Sequence, residues 1–64
     1  MLTIASTPVS DGVAHHLVGR NQNGWFLVER VVRPNGAIAS EVCYANGFKT
    51  QRAAIKWAEM KFNL

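Results

Sequence analysis

The sequence predicts an α+β fold: a three- or four-stranded antiparallel β-meander with one C-terminal α-helix packed on one face. Three observations carry this. Trp25 to Val32 is a run rich in aromatic and β-branched residues, and a turn and a second apolar run, Ala37 to Tyr44, follow it. Apolar residues recur at helical spacing only once, late in the chain, from about Gln51 to Phe62. The strand-like runs lie too close together for the helical crossovers that a parallel sheet requires. With 64 residues there is room for a single domain, 1–64, with an N-terminal segment (1–12), a meander (13–45) and a helix (50–63).

Taken in order, Leu2 to Ala5 is an edge strand or a loose tail, and Pro8 and Asp11-Gly12 are turn signals. Val13 to Val18 reads as a short strand. Gly19 to Gly24 reads as a polar loop bracketed by glycines. In Arg33-Pro34-Asn35-Gly36, proline presets φ at the second turn position and glycine supplies a left-handed residue, which fits a type I turn closed by a G1 bulge. Ala45-Asn46-Gly47 reads as a second turn. Thr50 is a good N-cap, and Phe48 just before it can pack back onto the first turns.

The bulged turn would put Phe26, Val28, Arg30 and Val32 on one face with Ile38, Ser40, Val42 and Tyr44. Trp25, Leu27, Glu29 and Val31 would share the other with Ala39, Glu41 and Cys43. A one-residue slip exchanges the two sets. The bulged register also sets Glu29 opposite Glu41, an unfavourable like-charge pair. Neither face is cleanly polar, so both are expected to be covered, one by the helix and the other by the N-terminal segment or a second subunit. On the helix, Gln51, Ala54, Ile55, Ala58 and Phe62 line one face, and Arg52, Lys56, Glu59 and Asn63 the opposite strip. Ala53, Trp57 and Met60 lie on a flank between them.

Composition narrows the function classes. Charged residues make up 17% of the chain and hydrophobic residues 48%. The charge content is below the usual level of about 25%. Such a surface keeps apolar area exposed or gives it to a partner. Seven Lys/Arg against four Asp/Glu leave a net charge of +3, which suits an acidic partner such as nucleic acid. Cys43 is alone, so no intrachain disulfide forms, which favours a cytoplasmic home for so small a domain. No basic-plus-apolar leader and no membrane-length apolar run is present.

No catalytic residues, metal ligands or cofactor are assigned. The carboxylates Asp11, Glu29, Glu41 and Glu59 are dispersed. His15 and His16 are adjacent, so on a strand they point to opposite faces and cannot share a metal. The glycines each fit a turn, with no phosphate-cradling motif among them. The chain reads instead as a non-enzymatic binding module. Arg20, Arg30 and Arg33 of the loop and hairpin, with Lys49, Arg52 and Lys56 of the helix and its approach, are the candidate nucleic-acid contacts. The alternative is a protein-binding module with an apolar surface. Leu27 and Val31 of the sheet, or Trp57 and Met60 of the helix flank, are the candidate partner or homodimer interface.

The run Gly24-Trp25-Phe26-Leu27-Val28, through Pro34-Asn35-Gly36 to Phe48-Lys49-Thr50-Gln51-Arg52-Ala53-Ala54-Ile55-Lys56-Trp57-Ala58, resembles a familiar unit. It is similar to the strand-and-helix layout of integrase arm-type and AP2-like DNA-binding domains. That resemblance covers about two thirds of the chain and implies DNA contacts by the exposed sheet face, with Arg20, Arg30 and Arg33 as the matching basic positions. In size and style the chain also resembles phage accessory proteins, including inhibitors of host defence such as anti-CRISPR proteins. That likeness implies a host protein as partner.

Overall fold

The structure, a computed structural model, describes residues 1–64. Four strands, β1 (Leu2–Val9), β2 (Gly12–Asn21), β3 (Gly24–Val32) and β4 (Ile38–Phe48), precede one helix, α1 (Gln51–Phe62). The strands form one antiparallel sheet in the order β1-β2-β3-β4, and α1 packs on one face of it. The α+β meander with a single helical layer is therefore present, in its four-stranded form.

The turn between β3 and β4 has the chemistry its residues suggest. Gly36 N–H donates to the Arg33 carbonyl at 2.9 Å, and Arg33 N–H donates to the Ala37 carbonyl at 2.8 Å. Gly36 takes the left-handed conformation, φ 89°, as the closing residue of a G1 bulge must. The Asn35 side chain accepts from Ala37 N–H at 2.9 Å. Helix start and stop are also local. Thr50 is extended (φ −133°, ψ 155°), and its Oγ1 accepts from Ala53 N–H at 3.1 Å. At the other end Asn63 turns left-handed, φ 60°, and Leu64 N–H reaches back to the Glu59 carbonyl at 3.0 Å, a Schellman-type closure.

Several elements run further than the sequence suggests. The N-terminal segment is a full edge strand to Val9. Pro8 is tolerated there because an edge strand can spare one donor. Gly19 to Asn21 extend β2, leaving Gln22-Asn23 as a two-residue turn. Gly19 is thus no turn residue. A Cβ there would lie 2.5 Å from the Phe26 ring, so glycine makes room for that ring across the β2–β3 pair. Ala45-Asn46-Gly47 is likewise not a turn but part of β4, which continues to pair Phe48 with Trp25.

The register of β4 resolves the like-charge conflict. Val32 pairs with Ile38 as the bulged turn requires, but an irregularity between Val31 and Val32 shifts the ladder by one residue. Arg30 then lies opposite Glu41, and Glu29 opposite Val42. Arg30 Nε donates to Glu41 Oε2 at 2.7 Å. Two further shifts, on either side of Leu27, accommodate the extra residues of β4.

The core is small and built on close approach. Ala54 and Ala58, one helical turn apart, are fully buried against Val18 and Leu27. Alanines at the contact let the helix settle onto the sheet without large side chains between them. Ile4, Trp25, Phe48, Ile55, Trp57 and Phe62 pack around that contact. A Leu at position 58 would have to displace this packing, at a cost of about 1–3 kcal/mol. Ala58→Leu is therefore expected to lower the urea midpoint clearly, whereas Ala53→Leu, at an exposed helical position, is expected to leave it nearly unchanged. The observed register has its own test. Glu41→Arg in dilute solution places two cations side by side and is expected to destabilise by about 0.2–1 kcal/mol, the range of exposed pairs. The double variant Arg30→Glu/Glu41→Arg is expected to recover most of it. A Glu29–Glu41 register would give the opposite sign for Glu41→Arg alone.

Candidate nucleic-acid interface

The sheet sorts side chains onto two faces. Cross-strand pairs Val18↔Leu27, His16↔Glu29, Ala14↔Val31 and Arg20↔Trp25 share the helix side. Leu17↔Val28, His15↔Arg30, Gly19↔Phe26 and Val28↔Cys43 share the open side. Leu27 and Val31 therefore belong beneath or beside the helix, away from Cys43. Leu27 is fully buried and has no surface to offer a partner. The bulges of β4 cause this difference from the register expected from the turn alone.

The helix flank is also placed differently. Trp57 packs against β4, its ring 5.9 Å from Phe48 and 6.3 Å from Phe62. The Phe62 ring in turn meets Tyr44 edge-on at 5.0 Å and His16 at 4.4 Å. Trp57 is therefore partly covered by Phe48 of β4 and by Phe62, while Met60 remains 77% exposed.

The six basic candidates divide into separate groups. Arg30 lies on the open face, paired with Glu41. Arg33 lies in the β3–β4 turn, at the opposite end of the sheet from the Trp25–Phe48 pair. Arg20 sits at that Trp25 end, its guanidinium 5.7 Å from the Trp25 ring centre, a cation–π arrangement. Lys49 follows Phe48 at the same end, immediately before the N-cap. Arg52 and Lys56 point to solvent from successive turns of α1.

Charge is distributed unevenly along the chain. Up to Phe48, Arg20, Arg30 and Arg33 are matched by Asp11, Glu29 and Glu41. From Lys49 onward, Lys49, Arg52, Lys56 and Lys61 face the single Glu59, so this stretch carries the whole net charge of +3. Neither the Arg30–Glu41 ion pair nor the His16–Glu29 contact involves any of these helical cations. The first turn of α1 adds backbone N–H groups that favour anions. The outward side of the helix thus carries Arg52 and Lys56 with Glu59 beside them and no ion pair among the three, while Arg20 and Lys49 lie at the Trp25–Phe48 end of the sheet. No helix is long and apolar enough to cross a membrane.

One polar group escaped the sequence reading. His16 is 6% exposed under Phe62. Its Nε2 lies 3.1 Å from Glu29 Oε2 but off the direction needed for a hydrogen bond, and Nδ1 has no partner. His15, its neighbour, faces the other way and meets Ser6 Oγ at 2.7 Å through Nδ1. No three His, Cys, Asp or Glu side chains gather as a metal-binding group. Comparison with protein-family models, curated proteins and solved structures finds no match to this chain.

The His16 contact is a packing element with a polar cost, so an apolar residue of similar size is a fair replacement. His16→Leu is expected to hold stability within about 1 kcal/mol of wild type or raise it. His16→Ala opens space under Phe62 and is expected to cost about 2 kcal/mol or more in denaturant unfolding.

Proposed function

We propose that the chain is a small non-enzymatic module that binds nucleic acid through phosphate contacts made by the helix surface. Lys49, Arg52 and Lys56 are the principal contacts, and Arg20 adds a contact from the sheet. The observation that supports this most is the concentration of the entire net charge on residues 49–64, with no acidic partner bound to any of those cations. Phosphate recognition needs little else, because positioning contacts come from Lys, Arg and helix N-termini. The reading moves the contact surface away from the hairpin. Arg30 is neutralised by Glu41, and Arg33 stands apart from the strip.

A second reading is a protein-binding module of the kind phages direct at host defence proteins. The open sheet face favours it, because that face is largely apolar and its one arginine is paired.

Salt separates the two. Binding of a labelled duplex by four phosphate-contacting cations is expected to weaken with a log–log slope of roughly −3.6, since each contact contributes about −0.9. The variant Arg52→Gln/Lys56→Gln is expected to reduce the slope by about 1.8 and the affinity at low salt more than tenfold. Arg33→Gln is expected to change little. Fluorescence anisotropy across 50–300 mM salt, about the range where counterion release dominates, reads all three. A slope near zero, or equal loss from Arg33→Gln, would remove the helix-surface reading.

A further inference from the structure

The face of the sheet opposite α1 has no element packed on it. Leu17 and Val28 sit at its centre with no helix above them but are already buried, 7% and 5% exposed, so the surface the face offers comes from the side chains around them. Phe26 and Cys43 flank them by register, and the polar row Ser6–His15–Arg30–Glu41 separates them from Val13, Val32 and Ile38. Ile38 is 55% exposed, and the Cys43 thiol is exposed as well. The N-terminal segment runs as the in-plane edge strand β1, and its Met1 side chain reaches the Gly19–Phe26 end of this face.

We infer that this face is the interface of a homodimer, in which two copies stack sheet against sheet with their helices outward. Three features select a second copy as the occupant. The first is charge. Arg30 and Glu41 are the only Lys, Arg, Asp or Glu side chains on the face, and they neutralise each other at 2.7 Å. The face therefore neither repels itself nor attracts a polyanion. The second is size. Four strands about 4.8 Å apart and about nine residues long, at about 3.3 Å each, give a plan area of roughly 570 Å² per copy. Side-chain relief raises the accessible area above that plan value. Stable interfaces bury about 800 Å² per partner and weaker ones about 600 Å², so this plan area is on the scale of a weak dimer. The third is the thinness of the chain's own core, nine buried residues in 64, which a two-sheet sandwich would thicken.

The geometry allows a test by net charge of the face. Glu41→Arg makes the face doubly positive, and Arg30→Glu makes it doubly negative. Each change removes only a half-exposed surface pair, so both variants are expected to fold, with circular dichroism as the check. In analytical ultracentrifugation the wild type is expected to show a concentration-dependent dimer in the micromolar range. Each variant alone is expected to stay monomeric at concentrations at least tenfold higher. An equimolar mixture of the two is expected to recover a 1:1 heterodimer. Maleimide labelling of Cys43 is expected to slow at least severalfold on dimerisation of the wild type and not in either variant alone. Met60→Lys, on the helix side, is expected to leave all of this unchanged.

Other results would overturn the inference. A wild type that stays monomeric to high micromolar concentration would leave the face to a different protein or to solvent. A dimer that survives both single variants, or one abolished by Met60→Lys, would place self-association elsewhere. The proposal stands apart from nucleic-acid binding, since charge variants of the open face leave Arg52 and Lys56 untouched.

Discussion

Everything in this molecule depends on how closely a helix can approach a sheet. Ala54 and Ala58 leave no side chain longer than a methyl group between the α1 backbone and Val18 and Leu27. Larger residues, Trp57 on one side and Ile55 on the other, then wrap down around that seam. The arrangement extracts burial from a 64-residue chain by placing bulk at the margins and small residues at the centre. It also fixes which helical strip stays wet. Once Ala54 and Ala58 face inward, Arg52, Lys56 and Glu59 must face outward.

Strand β4 performs the second organising task. Its three register shifts against β3 bring Arg30 to Glu41, tie Phe48 to Trp25 and deliver the chain to Thr50 at the correct end of the sheet. They also leave β4 an irregular outer edge. On the opposite edge, β1 carries its own irregularity between Thr3 and Ala5, together with Pro8. Broken ladders and a missing donor make poor templates for another strand. Association through the face is thus less hindered than association through either edge.

Much of this was legible in the sequence where the signal is local. The turn at Arg33 to Gly36, the cap at Thr50 and the helix from Gln51 to Phe62 depend on residues within a few positions of one another, and all three are present. Features set by distant partners were not legible. Gly19 looks like a loop residue until the Phe26 ring is seen above it. Ala45-Asn46-Gly47 has turn composition but is held extended by pairing across to β3. The burial of Leu27, and its separation from Cys43, follow from bulges that no periodicity reveals. For the candidate site, the basic residues could be named from sequence. Their division into one paired arginine, one remote arginine and a helical strip required the register.

The order of elements has a consequence for how the chain is made. Every strand pairs with its neighbour in sequence, so the sheet can assemble progressively as the chain emerges. Its cover is α1, which is synthesised after all four strands. Until Ala54 and Ala58 are available, Val18 and Leu27 have nothing to pack beneath. The strands alone therefore lack a core beneath either face, and the fold closes only when its last element is in place.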